Sequence, residues 1–312
     1  MSKLKGLLLT EGMHGMISQV EGLAKALDID FTHHKVELNK FWKLIPPKFT
    51  PVSNFAFNSI TANDFDIIIS CGRKSVIPSI YLKKNSKKKV HNIHIQDPKV
   101  SLNNFDFIIA PEHDGLTGEN VILSKGSIHY LTKEEITNNH EYLSEKLNNE
   151  KEYLSLILGG PNKYYDYNEK NLIKIFDKIK SILESNNLQA IIIPSMRTPK
   201  KIIDFTQNYL GENNLVIKQV DKKAYLSSLS LAKYIVVTCD STSMISEAAL
   251  TGKPIYIAEI PAKSNDYRFR KFRDLFHKLK IIKNLNEKVE IWNYEILDET
   301  NRIAKEIKKK IS

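Results

Sequence analysis

The stretch from Val236 to Ile257, VVTCDSTSMISEAALTGKPIYI, constrains the fold more than any other part of the chain. An apolar run ends at Thr238, which is typical of a buried strand in a parallel sheet. A small polar loop, residues 239–243, leads into a helix-like segment, and Gly252 ends that segment before a second apolar run begins. Strand, helix and strand in this order form a βαβ unit, so the pattern predicts a parallel α/β sheet.

The polar loop of this unit lies where open α/β sheets bind ligands, at the carboxyl end of a strand. Either Asp240 or Ser241 can cap the following helix, and the free N–H groups at a helix N-terminus suit a phosphate. Glu247 lies four residues after Ser243, so both side chains are expected on one face of the helix. Capped helices of this kind are also common without any ligand, so the loop alone does not assign a function.

Similar loops follow other apolar runs of the chain. The candidate ligand-binding and catalytic residues in them are Gly15, Arg73, His113, Asp114, Gly159, Gly160 and Arg197. Glycine permits close backbone approach to a ligand, and arginine can pair with phosphate oxygens. His113, with a carboxylate on each side, can act as a general base. An ordinary surface turn explains the same histidine, and a solvated side chain explains the same arginines.

The chain divides into two successive strand–helix series. A polar, charged stretch from residue 130 to 151 separates them, which predicts an N-terminal domain of residues 1–148 and a C-terminal domain of residues 149–312. The last helix is expected to be able to pack back on the first domain. The predicted fold class is α/β, with two Rossmann-like domains that face a cleft and a ligand between them.

Charge and composition indicate which classes of partner the chain can bind. The formal net charge of +10 favours phosphate-bearing partners, either a nucleotide or an anionic lipid surface, although a solvated basic surface gives the same charge. No zinc-finger, RNP-like or bZIP pattern occurs, so nucleic acid is not expected as a partner. Two cysteines give neither a disulfide framework nor zinc spacing, and no spacing specifies a metal site. The basic segment 267–280 predicts a helix whose phenylalanines pack in the core or, alternatively, attach to anionic lipid.

The start of the chain bears on its location. The first residues, MSKLKGLLLTEGMHG, lack a small-residue cleavage site and run directly into a helical pattern, which predicts a strand and not a signal peptide. No apolar run reaches the length of a transmembrane helix. We therefore expect a cytoplasmic protein, with peripheral attachment to the inner face of a membrane as an extension of that expectation.

Several motifs carry a family resemblance through nearly the whole chain. They are LTEGMHGMISQVEGLAKAL, SCGRKSVIP, HIQDPKV, FDFIIAPEHDGLTGENVI, LILGGPNKYY, IPSMRTP and VVTCDSTSMISEAALTGKPIYI, followed by RFRKFRDLF. In these the chain resembles the mitochondrial fission protein family of plant organelle-fission factors and their bacterial relatives. It departs from the bacterial pattern at Met16, where a histidine usually follows the glycine, and at Met196, where arginine is usual.

The resemblance implies a GT-B-like architecture and a nucleotide-sugar ligand. In similar transferases a Ser/Thr loop and a glutamate-bearing helix hold the donor, which would place Ser241, Thr242 and Ser243 on its phosphates and Glu247 on its ribose. A glycosyltransferase without a bound cofactor is the expected function, with His113 or Asp114 as base. The alternatives are a non-catalytic adaptor, as plant members are linked to recruiting a dynamin-like protein at a membrane surface, and a nucleoside-diphosphate-sugar epimerase.

Overall fold

The computed structural model describes residues 3–61 and 64–311, which form two compact units. Unit 1 comprises residues 1–130 and 298–312, and unit 2 comprises residues 131–297. The sequence pattern predicted the division after residue 148. In the structure, the segment that follows residue 130 packs on unit 2, because the Leu143 N–H donates to Ser227 Oγ and Leu143 is fully buried.

Unit 1 is built on a parallel sheet with six strands among the described residues, in the order β2-β1-β3-β4-β5-β6. Apolar runs such as GLLL and IIIS form its central strands, because a sheet covered on both faces favours continuous apolar segments. In chain order the elements are β1 (Lys5–Thr10), α1 (His14–Leu27), β2 (Asp30–Lys35), β3 (Ile67–Cys71), α2 (Val76–Asn85), β4 (His91–Ile95), β5 (Phe107–Pro111) and β6 (Val121–Ser124).

Unit 2 carries a second parallel sheet, again with six strands in the described chain, in the order β12-β11-β10-β7-β8-β9. Its elements are α3 (Lys133–Asn138), β7 (Glu152–Leu158), α4 (Glu169–Ser185), β8 (Leu188–Pro194), α5 (Lys200–Leu210), β9 (Leu215–Val216), α6 (Lys222–Leu231), β10 (Tyr234–Thr238), α7 (Thr242–Ala249), β11 (Ile255–Ala258), α8 (Tyr267–Lys278) and β12 (Ile282–Asn284). The predicted βαβ unit is β10-α7-β11.

The closing helix α9 (Glu299–Ile311) belongs to unit 1, where it packs beside α1. Its apolar side buries Ile303 and Ile307 in the same cluster as Leu23 of α1. The Glu299 carboxylate accepts the backbone N–H of Lys125 at 2.7 Å, which fixes the start of the helix against the end of β6. Among the helices of residues 3–61 and 64–311, none is both long and apolar enough to cross a bilayer.

The two sheets therefore confirm the predicted α/β class with two Rossmann-like halves. Alternate residues of β1 show how the core is divided: Leu8 faces one buried cluster and Leu7 and Leu9 face the other. Both cysteines, Cys71 and Cys239, are buried thiols without a disulfide. Each sits at or just after the carboxyl end of a strand, at the edge where the candidate site residues collect.

Candidate functional site

The strand order of unit 2 marks one place for a ligand. From β7 the chain adds strands β8 and β9 on one side and strands β10, β11 and β12 on the other, so the order reverses between β7 and β10. Open α/β sheets bind ligands in the crevice at such a switch point. Gly159 and Gly160 follow β7, and residues 240–243 follow β10. The structure thus brings two of the predicted loops together.

The N-terminus of α7 opens at this switch point. Ser241 is the capping residue, and its Oγ accepts the Met244 N–H at 3.4 Å. Thr242 and Ser243 form the first turn and are partly exposed. N–H groups in the first turn of a helix lack partners within the helix, and the helix dipole adds partial positive charge there. This end of α7 can therefore receive an anion.

Glu247 lies one turn further along α7. It is 9% exposed, and its Oε2 accepts a hydrogen bond from the Tyr225 hydroxyl of α6 at 2.8 Å. Burial raises the pKa of this carboxyl to about 7, because a low-dielectric surrounding disfavours the charged form. Near neutral pH the side chain can therefore either accept or donate a hydrogen bond.

Asp240 holds the loops of the site together. Its side chain has no exposed surface, and its Oδ1 accepts from the Tyr167 hydroxyl and from Thr238 Oγ1 at 2.8 Å. The Oδ2 atom accepts the Gly160 N–H at 3.2 Å. Burial, followed by the nearby Asp240 charge, raises the pKa of Tyr167 well above its usual range, so Tyr167 remains a donor. The sequence offered Asp240 as an alternative cap, but its carboxylate turns inward.

Arg197, in the loop after β8, completes this network. Its Nη2 lies 2.7 Å from Asp240 Oδ2, and its Nη1 donates to the Gly160 carbonyl at 2.7 Å. The side chain remains 37% exposed, so part of the guanidinium still faces solvent. Arg197 was predicted to meet a phosphate. In the structure its first partners are the protein's own carboxylate and carbonyl, which orient it at the switch point.

The two glycines after β7 permit close packing of the protein on itself. A Cβ at Gly159 would collide with the Asp240 carboxylate, and a Cβ at Gly160 would collide with the Arg197 backbone. From the sequence, these glycines were predicted to let a ligand approach the backbone. The structure fills that space with Asp240 and Arg197 instead, which explains why side chains are absent here.

Helix α8 supports the site loop from another side. Arg273 is 7% exposed, and its Nη1 donates to the Cys239 carbonyl at 3.2 Å and to the Tyr165 hydroxyl at 3.1 Å. Phe272 and Phe276 are buried, and Phe269 packs its ring on Tyr165. The prediction of core packing for this helix is confirmed, and these rings are not free to enter a lipid layer.

The structure places two of the predicted binding residues of unit 1 in local settings that the sequence did not indicate, and their binding roles stay predictions. Gly15 was expected in the loop after β1, but α1 already begins at His14, so Gly15 lies in the first turn of the helix. Arg73 was expected to face a phosphate. Its guanidinium donates to the backbone carbonyls of Lys43 and Ile45, the latter at 3.4 Å, and so ties down the segment between β2 and β3.

His113 and Asp114 lie in a short 3₁₀ turn after β5 of unit 1. His113 Nε2 is 3.6 Å from Asp114 Oδ1, and the two side chains are 8% and 9% exposed. These two atoms are close but lie beyond hydrogen-bond distance, so the contact between them is electrostatic. Their catalytic role stays a prediction. In the described part of the chain, no three metal-ligating side chains form a cluster that could hold a metal ion.

Sequence reasoning missed three side chains that shape this site: Tyr167, Tyr225 and Arg273. Each reaches the site from a neighbouring loop or helix, far away in sequence, so no local pattern identifies it. The one available signal was the YRFRKFRDLF segment, in which Arg273 occupies the same side of the helix as the buried phenylalanines. An arginine on an apolar helix face indicates a buried partner.

The sequence of the chain is similar to a known family and to individual proteins from a bacterium and a plant. A family model described as "Mitochondrial fission ELM1" matches residues 14–311. The Rickettsia prowazekii (strain Madrid E) protein RP120 is 29% identical over 282 residues, which cover 78% of this chain and 79% of that protein. The Arabidopsis thaliana "Mitochondrial fission protein ELM1" is 24% identical over 275 residues, which cover 79% of this chain and 64% of the plant protein.

Solved structures share the fold at low sequence identity. The UDP-GlcNAc 2-epimerase of Methanocaldococcus jannaschii is 15% identical, with a TM-score of 0.53 over 99% of this chain and 100% of that one. The UDP-GlcNAc 2-epimerase of Neisseria meningitidis bound to UDP-GlcNAc is 12% identical, with a TM-score of 0.51 over 99% of this chain and 100% of that one. These likenesses establish the GT-B-type α/β fold of the chain.

Proposed function

We propose, from the premise that this chain belongs to the mitochondrial fission ELM1 family, that unit 2 binds a nucleoside-diphosphate sugar at the switch point between β7 and β10. One observation carries the proposal: the open N-terminus of α7 lies at this switch point, with Glu247 one turn further along. The backbone N–H groups and the hydroxyls of residues 241–243 would receive the diphosphate. Glu247 would accept hydrogen bonds from the ribose hydroxyls.

The chemistry of the site suits departure of a nucleoside diphosphate. When the bond between the sugar and the diphosphate breaks, negative charge grows on the departing phosphate oxygens. The dipole of α7 and the exposed part of Arg197 would stabilise that charge. Transfer of the sugar to an acceptor is therefore the proposed reaction, and His113 or Asp114 is the proposed base. A UDP-sugar is the first donor to test, because one fold neighbour of this chain, the Neisseria meningitidis epimerase, is bound to UDP-GlcNAc.

The test is calorimetric titration of the purified protein with UDP, GDP, CDP and the corresponding sugar nucleotides. We expect saturable binding of one nucleotide class, weakened at least tenfold by Ser243→Ala and by Glu247→Ala. Ser185→Ala and Glu184→Gln are matched controls, because they change exposed side chains on α4 of the same unit. Unchanged affinity in Glu247→Ala would remove its ribose role, and no binding by folded protein would leave the adaptor function.

Epimerisation is the second candidate, and the likeness to the two UDP-GlcNAc 2-epimerases favours it. Incubation with UDP-GlcNAc alone distinguishes the two reactions. An epimerase forms an isomeric sugar nucleotide without any acceptor, whereas a transferase leaves the donor intact or releases UDP. Chromatography of the nucleotide products gives the answer directly.

A further inference from the structure

A closed loop of unit 1, residues 40–55, stands apart from the candidate nucleotide site. Its two ends meet, because the Asn39 N–H donates to the Ala56 carbonyl at 3.1 Å and Leu38 pairs with Phe57 in an isolated antiparallel bridge. Loops whose ends are held together in this way are compact surface elements that often carry function. We call residues 40–55 the basic apolar loop.

Large apolar side chains of the basic apolar loop point into solvent. Those exposed are Phe41 (64%), Leu44 (82%), Phe49 (66%), Val52 (38%) and Phe55 (57%). Three lysines, Lys40, Lys43 and Lys48, lie among them, and the loop sequence KFWKLIPPKFTPVSNF contains no acidic residue. Single exposed apolar side chains are ordinary, but a cluster of them on one loop marks an interaction surface.

The exposure of these side chains is built into the fold. Trp42 packs against the buried cluster that contains Leu38 and Phe57, and its ring contacts those of Phe41 at 4.8 Å and Phe55 at 6.0 Å between centroids. Arg73 donates to two backbone carbonyls of the loop. Pro46, Pro47 and Pro51 further restrict its backbone. The scaffold thus holds the loop in place while its phenyl and leucyl groups remain outside.

The chemistry of the loop fits a lipid surface better than a protein. Protein interfaces are enriched in aromatic residues and arginine and depleted in lysine. This loop shares the aromatic residues of such interfaces, but it has three lysines and no arginine, so its charged residues fit an anionic lipid surface better. Phenylalanine and leucine enter the boundary between lipid headgroups and acyl chains, and lysines beside them meet anionic headgroups. We propose that the basic apolar loop docks unit 1 on an anionic lipid bilayer, with Leu44 and Phe49 inserted and the three lysines at the headgroups.

This surface differs from the basic helix α8, the first place where the sequence suggested lipid contact. Phe272 and Phe276 of α8 are buried in unit 2, whereas Tyr267 at the start of the helix is 53% exposed. Helix α8 therefore offers charge and one exposed ring to a membrane, but no cluster of exposed apolar side chains. Stable peripheral attachment requires both apolar insertion and electrostatic attraction. The basic apolar loop combines the two within sixteen consecutive residues.

Co-sedimentation of the full-length protein with vesicles tests the proposal. One set contains phosphatidylcholine alone and the other contains phosphatidylcholine with about one third phosphatidylglycerol. We expect binding to the anionic set and little to the neutral set. Each lysine near an anionic surface strengthens binding about fivefold, so the triple variant K40Q/K43Q/K48Q should bind about a hundredfold more weakly. The double variant L44N/F49N should lose at least tenfold.

Matched controls separate the loop from general charge and folding. The variant K84Q/K87Q/K89Q removes the same charge from exposed positions of the same unit, and Ile291→Ser removes an exposed apolar side chain of unit 2, 66% exposed. Both controls should bind like the wild type. The chain has two tryptophans, so Trp292→Phe leaves Trp42 in the loop as the sole indole. Its emission should shift to the blue with anionic vesicles.

Three results would overturn the proposal. The first is no binding of the wild type to anionic vesicles, and the second is an equal loss of vesicle affinity in the loop and control variants. The third is a Trp42 emission wavelength that stays the same when vesicles bind. The first of these would redirect the search to a protein occupant for the exposed phenylalanines. None of the three depends on nucleotide binding, so the lipid proposal and the nucleotide-sugar proposal can fail separately.

Discussion

At the switch point of the first sheet, between β1 and β3, the chain supplies its own anion. Glu11 Oε2 lies 2.6 Å from Lys74 Nζ, and Glu11 Oε1 accepts the Lys74 N–H at 3.2 Å. At the switch point of the second sheet, between β7 and β10, the corresponding carboxylate is that of Asp240. It turns away from the helix and binds Tyr167, Gly160 and Arg197 instead.

The difference shows how one architecture can close one site and open another. In unit 1 the carboxylate occupies a cation and a backbone N–H that could otherwise meet a phosphate. In unit 2 the carboxylate also holds a cation and a backbone N–H, but these belong to Arg197 and Gly160 in the loops after β8 and β7. The N-terminus of α7 therefore stays partly exposed. This difference favours unit 2 as the place of the proposed anion binding, and the basic apolar loop is the surface that distinguishes unit 1. Each substitution described below tests one of the two switch points.

Asp240→Asn should have the largest effect. The substitution removes the negative charge that pairs with Arg197. It also replaces the carboxylate that accepts hydrogen bonds from Gly160 and Tyr167 with a neutral amide, at a position with no exposed surface. Removing one partner of a fully buried ion pair costs about 4 kcal/mol of unfolding free energy. Because Arg197 is 37% exposed and solvent screens it, we expect a loss of about 3–4 kcal/mol. Urea unfolding measures it, with Trp292 reporting unit 2 in a Trp42→Phe background. A loss below about 1 kcal/mol would mean that the Asp240 network does not hold unit 2 together.

Glu247→Gln should change the pH dependence of stability. The folded-state pKa of about 7 lies above the ordinary 4.5, so the folded protein keeps a proton that the unfolded chain releases. The contribution of Glu247 to the free energy of unfolding is therefore fully present below about pH 4.5. It falls as pH rises toward 7, by at most about 3 kcal/mol. Glutamine removes this fall, so the variant should be the more stable protein at pH 8. Unfolding midpoints at pH 5 and pH 8 check this, and parallel curves for both proteins would contradict it.

The same titration bears on ligand binding. An ionised Glu247 accepts hydrogen bonds from ribose hydroxyls better than a protonated one. If the proposed role is right, nucleotide affinity should rise between pH 6 and pH 8 in the wild type and stay level in Glu247→Gln.

Glu11→Gln should have the smallest effect. The ion pair with Lys74 is partly exposed, at 15% and 30% for the two side chains, and solvent screens such pairs. We expect a loss of about 1 kcal/mol, read from Trp42 in a Trp292→Phe background. A matched change, Glu37→Gln, affects an exposed pair with Lys35 and should cost less. An effect as large as that of Asp240→Asn would erase the distinction between the two switch points.

Much of the fold could be predicted because apolar runs and helical spacing are local properties. The runs at β1, β3, β7 and β10 and the capped start of α7 at Ser241 were found where the residues indicated. Gly15 shows the limit, because a glycine between a loop and a helix is compatible with either. Arg73 and Arg197 show a second limit. Their partners lie 28 residues or more away along the chain, so an arginine's role could not be distinguished from its position alone.

The sequence by itself determined that this chain forms parallel α/β sheets with polar loops at the strand ends, because the spacing of apolar residues in strands and helices is a property of neighbouring residues. Only the tertiary structure decided which polar groups of those loops pair with other groups of the protein and which face solvent. It turned Asp240 inward, raised the pKa of Glu247 by burial, and left Leu44 and Phe49 outside. Burial and pairing depend on what the rest of the chain brings to each side chain, and no local pattern contains that information.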